Sequence, residues 1–241
     1  VRGSRLNMRG DEIPDFGGRI APFALCGEVF GDGAAGDGGA VRLGVSMMCP
    51  GRHTLALWPQ VHDMEPRLRF EIVPVGDLYD ERETVMRSLG REVDVVQSSF
   101  STPRWGDACQ KLRIVTVPFY IDVPRTSRLA RKTRITVADL EGMRLRVLRH
   151  GNDAIDSLRI DLLADGGVDV IDVDSFDFAL FNEAEEKGDA VLTCGAWSGV
   201  HPAFVGVPFL CGREVPVYLH YPLEPTLQVQ KFVNAMAQLL K

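Results

Sequence analysis

Apolar and polar residues alternate along Val41–Val45, where Arg42 and Gly44 separate Val41, Leu43 and Val45. A period of two predicts a short strand. Beyond a turn at 46–51 the period lengthens. Leu55, Leu57, Trp58, Val61 and Met64 share one broad apolar face over 54–64, which predicts a helix. Glu65-Pro66 ends it, because the residue before proline avoids helical angles. A strand follows over 68–75. A helix over 81–89 comes next, with Val85, Met86 and Leu89 apolar and Gly90 as its stop, and then a buried strand over 93–96. This β-α-β-α-β alternation predicts a mostly parallel sheet covered by helices.

The second half repeats the order. Two strands, 112–117 and 119–123, are expected on either side of Pro118, and a short helical turn over 136–140. A strand over 145–148 feeds a helix that Asn152 can cap and that runs to about Leu163, with Ile155, Leu158, Leu162 and Leu163 at helical spacing. Strand 168–173, helix 176–186 and strand 190–192 complete a second set. Strands over 203–207 and 215–220 and a final helix over 226–240, with Val229, Phe232, Val233, Met236 and Leu239 inward, close the chain. Two similar sets predict an α/β fold of two Rossmann-like lobes of roughly 80–100 residues each. A cleft between lobes is a favoured place for a small molecule. In each lobe the first strand runs into a polar turn and then a helix: Ser46 in the first, His150-Gly151-Asn152 in the second. Strand ends and helix N-termini of this kind suit a carboxylate or another small anion.

Ahead of the first lobe, 14–30 has loose helical spacing with a kink expected at Pro22. Gly31, Gly33 and Gly36 then match G-x-G-x-x-G letter for letter. The dinucleotide fingerprint needs a strand before and a helix after. Here the order is inverted, so 31–40 reads as a glycine-rich linker and a domain boundary.

Charge and composition narrow the classes. The 241 residues carry a formal net charge of -6, which argues against nucleic-acid binding by the chain as a whole. One stretch, Arg128–Arg134 (RLARKTR), is basic against that background. No apolar run approaches the roughly 18 residues of a membrane span. VRGSRLNMRGDEIPDF lacks the apolar stretch of a secretory signal, so the expected location is the cytoplasm. The five cysteines (Cys26, Cys49, Cys109, Cys194, Cys211) fit neither a disulfide framework nor a zinc motif, and read as small buried hydrophobes in a reducing compartment. The five histidines show no metal-ligand spacing, and no G-x-S-x-G elbow is present. Neither a catalytic constellation, a metal site nor a cofactor is expected.

Several stretches resemble the effector-binding domain of LysR-type transcriptional regulators: GGAVRLGVS, PRLRFEIVPVG, RSLGREVDVV and RLARKTRITVADLEGMRLRVLRHG. The last is the most specific, through Leu129-Ala130, Ile135-Thr136, Asp139-Leu140 and Gly142. VRGSRLNMRGDEIPDFGGRI is similar to the end of that family's DNA-binding wing and its linker helix, with Arg2, Arg5 and Leu6 in pattern and Arg9 where threonine is usual. The resemblance implies a type II periplasmic-binding-protein-like fold with a two-strand hinge. It divides the chain into 1–40 (end of the wing, linker helix and glycine-rich linker), a first lobe of 41–123 plus 214–241, and a second lobe of 124–213. It implies a small-molecule effector in the cleft, homodimers or tetramers, and DNA binding through a domain outside these 241 residues.

By position in that fold, the effector contacts would be Ser46, Met47, Asp77, Gln97, Ser98, His150, Asn152 and Thr193, all at the C-terminal ends of strands. Met47-Met48-Cys49 makes one wall soft and apolar, which favours an organic acid with an apolar body. The function so read is that of a non-enzymatic ligand-sensing domain. A solute-binding protein for transport shares the fold and is the alternative.

Overall fold

The computed structural model describes residues 39–47, 49–76, 88–99, 108–149 and 153–241, all within one compact unit, Gly36–Lys241. The expected helix over 14–30, most of the glycine-rich stretch and the helix over 81–89 (save its last two residues) lie outside the described residues.

Nine strands and four helices are described: β1 (Ala40–Val45), α1 (Arg52–Met64), β2 (Arg69–Pro74), β3 (Val95–Ser98), β4 (Gln110–Pro124), β5 (Arg144–Leu148), α2 (Asp153–Asp165), β6 (Asp169–Val173), α3 (Phe178–Lys187), β7 (Ala190–Cys194), β8 (Phe204–Pro208), β9 (Glu214–Tyr221) and α4 (Leu227–Leu239). Two 3-10 turns, Arg128–Arg131 and Val137–Leu140, bridge β4 to β5. The strands run β2-β1-β3-β9-β4-β7-β5-β6, with β8 on the other side of β4. β1 is parallel to β2 and β3, and β5 is parallel to β6 and β7, so the order 2-1-3 recurs as 6-5-7. The strand order of the predicted pattern is therefore a real structural repeat.

β4 joins the two sheets. Residues 110–118 pair antiparallel with β9, and 119–124 pair antiparallel with β7 and β8. The sequence predicts two strands broken at Pro118, but the strand is continuous. Pro118 sits at the end of the β9 ladder, where the chain changes sheet. A missing N–H is tolerated there, and its carbonyl accepts the Gly195 N–H at 3.0 Å.

Burial follows the topology. β3 and β7 are buried along their whole length, as central strands covered on both faces must be, whereas edge strand β2 is largely exposed. In the first half, Trp58 of α1 stacks on Phe70 of β2 with ring centroids 4.6 Å apart, and Phe70 on Phe232 of α4 at 5.5 Å. In the second, Phe176, Phe181, Trp197 and Phe204 pack around the β7–β8 connection. Two expected inward positions differ: Met64 and Leu163 are 39% and 47% exposed at the last turns of α1 and α2. Each half also carries an ion pair at the strand N-terminal ends. Arg42 donates through Nε (3.0 Å) and Nη2 (2.9 Å) to Asp94, and Arg146 donates through Nε to Asp189 at 2.8 Å.

Candidate functional site

The register of β4 decides where the two halves face each other. Ser98 lies opposite Tyr218, Tyr218 opposite Arg113, and Cys194 opposite Phe119. The C-terminal ends of β1 and β3 thus approach β4 from one side, and those of β5 and β7 from the other. This junction is where parallel sheets present ligands.

Ser46 closes β1. Its N–H donates to the Cys49 carbonyl at 3.1 Å, and its Oγ accepts the Cys49 N–H at 3.1 Å. Among the described residues no acceptor takes the hydroxyl's own hydrogen. Met47 is half-buried and packs against the larger apolar core. Gly51 then starts α1 at φ 64°, and a Cβ there would lie 2.8 Å from Leu43 Cδ2, so the turn requires glycine.

The helix start has no side-chain cap of its own. Gln97, 1% exposed at the end of β3, supplies one. Its Oε1 accepts from Thr54 N at 2.8 Å and from Thr54 Oγ1 at 3.0 Å. Its Nε2 lies 3.4 Å from His53 Nδ1. Burial, aided by the adjacent Arg52 charge, pushes the His53 imidazole below its ordinary value, so its ring is neutral at pH 7 and Nδ1 can accept. Gln97 therefore joins β3 to the first turn of α1, and one of the helix's unpaired N–H groups is already taken. Ser98 and Ser99 continue the edge and are both buried.

On the opposite side, Thr193 is 1% exposed and donates through Oγ1 to Asp122 Oδ1 at 2.8 Å. Asp122 is fully buried on β4. It also accepts from Ser198 Oγ at 2.9 Å and from Gly199 N at 3.3 Å. Burial raises this carboxyl above its ordinary range, and the three donors oppose that shift. Asp122 pins the turn after β7. Gly206 makes room for the pin, since a Cβ there would sit 1.7 Å from Ser198 Oγ. The Cys194 thiol is pushed up to about 12 by complete burial. The thiol is not a nucleophile at neutral pH.

Of the expected contacts, Ser46, Met47, Gln97, Ser98 and Thr193 stand at strand C-terminal ends on this junction; Asp77, His150 and Asn152 lie outside the described residues. Asp122 was not foreseen. Its signal in the sequence is a lone carboxylate inside the apolar run Phe119–Val123. A depression of about 280 Å³ lies at the opposite, N-terminal end of the first sheet, lined by Arg42, Glu71, Asp94, Thr226 and Gln228 among others. Arg42 and Asp94 are already paired there, and the place is not where parallel strands present ligands. Among the described residues there is no cluster of three or more metal-ligating side chains, and no helix long and apolar enough to cross a membrane.

Two sheets of order 2-1-3 joined through a shared crossover strand define a type II periplasmic-binding-protein-like fold. No family profile and no curated protein matches the chain. Solved structures do. CbnR, described as a LysR family transcriptional regulator, aligns at TM-score 0.63 with 14% identity, over 84% of this chain and 70% of that one. The reduced OxyR regulatory domain of Pseudomonas aeruginosa aligns at TM-score 0.55 and 15% identity, over 83% of this chain and 97% of that one. A mutant ArgBP of T. maritima aligns at TM-score 0.53 and 17% identity, over 83% and 89%. At these identities the likeness is one of fold.

Proposed function

We propose that the chain is the ligand-sensing domain of a LysR-type transcriptional regulator. One observation carries the reading: the fold matches 97% of a solved regulatory domain. The segment Leu129–Gly142, whose sequence resembles that family, supports it by folding as the connection that returns from the crossover strand to the second sheet. A transport binding protein such as ArgBP shares the fold at a lower TM-score and is the weaker reading.

In this account the lobes are 41–123 plus 214–241 and 124–213, and a small organic acid sits between them. Ser46, Asp77, Ser98, His150 and Asn152 give it polar contacts, and Met47 an apolar wall. Gln97 and Thr193 hold α1 and the 195–199 turn in place beside it. The protein changes nothing in the ligand covalently. A ligand that binds the closed arrangement better shifts the population toward it, by no more than its difference in affinity for the two arrangements. The shift passes to a homodimer or tetramer, and to DNA through a domain outside these residues, in the cytoplasm.

The test is a thermal-shift screen of small aliphatic and aromatic carboxylates. The reading expects at least one compound to raise the melting temperature and to be recovered unchanged after incubation. Turnover of the compound would point to an enzyme instead. No stabilisation by any carboxylate would remove the organic-acid assignment.

A further inference from the structure

The basic stretch of the sequence has no part in the junction, and the fold gives it a definite shape. Arg125, Arg128, Arg131 and Arg134 recur every three residues, and all four are exposed. Arg128–Arg131 is a 3-10 turn, with three residues per turn. Ser127 and Lys132 flank it in extended conformation, with φ -66°, ψ 144° and φ -80°, ψ 146°. Polyproline-like backbone of that kind also repeats every three residues. Arg128 and Arg131 are thus roughly 6 Å apart along the segment, from a rise of about 2 Å per residue, and Arg125 stands in the turn that the Ser127 N–H closes on the Pro124 carbonyl at 2.8 Å.

The segment is fixed rather than dangling. Leu129 and Ile135 are buried at 2% and 0% exposure. Ser127 Oγ accepts from Leu129 N at 3.2 Å, Arg125 Nε donates to the Pro202 carbonyl at 2.7 Å, and Ile135 N donates to the Pro208 carbonyl at 2.8 Å. Residues 125–134 contain five cations and no carboxylate, and only Lys132 has an acidic partner among the described residues, Asp139 at 2.5 Å.

We infer that this strip is a contact surface for the phosphate backbone of duplex nucleic acid. The chemistry separates it from other partners. Its exposed side chains are arginine, lysine and threonine alone. A protein partner would want aromatic or apolar anchors at the centre of the patch. A single strand would want aromatic platforms for its bases. A row of guanidinium groups with hydroxyls between them suits phosphate oxygens, which fix position without reading sequence. The net charge of -6 does not forbid this, because the field near the surface follows the local charge within a Debye length of about 10 Å. The inference stands apart from the ligand junction and does not need the effector to be known.

The experiment is fluorescence anisotropy of a labelled 20-base-pair duplex of arbitrary sequence with the full 241-residue chain, across salt from about 20 to 200 mM. Four phosphate contacts give a slope of log affinity against log salt of roughly -3.6, at about -0.9 per contact. The variant Arg128→Ala/Arg131→Ala/Arg134→Ala should fall to a slope near -0.9 on the same arithmetic, with at least a tenfold loss of affinity at low salt. Its circular dichroism melt should match the wild type, since the three side chains are exposed. A control, Arg67→Ala/Arg91→Ala/Lys231→Ala, removes the same charge from exposed positions elsewhere and should bind as the wild type does. Equal loss in both variants, an unchanged slope in the first, or binding of poly-glutamate in place of the duplex would overturn the inference.

Discussion

Replacing Gln97 with methionine tests whether the edge of β3 is held by the fold or only awaits a ligand. The two side chains are close in volume, so the change removes hydrogen bonds more than packing. Gln97 Oε1 takes both the Thr54 N–H and the Thr54 hydroxyl, and both groups are buried. Losing a helix cap costs about 0.5–2 kcal/mol. Leaving a buried donor without an acceptor costs about 1–3 kcal/mol, and the two figures describe the same N–H and must not be summed. A net loss of about 2 kcal/mol follows for the backbone bond and the weaker hydroxyl bond together. For a chain of this size that is a fall in melting temperature of roughly 4–8 °C. The assay is calorimetric or circular-dichroism melting without ligand, combined with Thr54→Val in a double-mutant cycle. The hydroxyl–amide bond should appear as a coupling of roughly 1 kcal/mol. If Gln97→Met melts within a degree of the wild type and the cycle shows no coupling, the cap is not what Gln97 does.

Other outcomes follow from the same geometry. Gly206→Ala should destabilise by roughly 3 kcal/mol or more in a denaturant melt, and Ser198→Ala in the same chain should recover part of that by removing the oxygen the new methyl would strike. The raised Asp122 carboxyl means that, above the unfolded value near 3.8, the folded state binds more protons than the unfolded one. Stability contributed through Asp122 is therefore lost as pH rises through that window, and Asp122→Asn should flatten this part of the pH–stability curve. Of the four described cysteines, iodoacetamide at pH 8 followed by mass spectrometry should label half-exposed Cys211 first and leave Cys194, with its thiol at about 12, unmodified in the native protein.

Much of the fold was legible because hydrophobic period survives in a single chain. Val41–Val45, the α1 face through Val61, and the apolar face of α4 were all readable, since each element buries one stripe or both faces. The repeat was readable for the same reason. Pro118 misled because its local meaning, a break in a strand, holds only where a ladder needs the N–H. At the sheet change none is needed. Met64 and Leu163 misled because periodicity gives a face but not how far the neighbouring layer extends along it.

The junction was less legible. Position after a strand selects Ser46, Gln97 and Thr193, but it does not say where their hydrogen bonds go. Gln97 reaches Thr54 across 43 residues and Thr193 reaches Asp122 across 71, and such pairings are fixed only by the assembled sheets. Asp122 itself carried a usable signal. A carboxylate within Phe119–Val123 must find donors or stay protonated, and that requirement could have been posed before its partners were known.

The central claim is that a small acid binds where the two sheets meet on β4. Its most direct measurement is isothermal titration of a carboxylate from the thermal-shift screen into the wild type, Ser46→Ala and Asn152→Ala. The account predicts at least a tenfold loss of affinity in each variant, about 1.4 kcal/mol apiece. Affinity unchanged in both variants would contradict it and place the ligand elsewhere on the molecule.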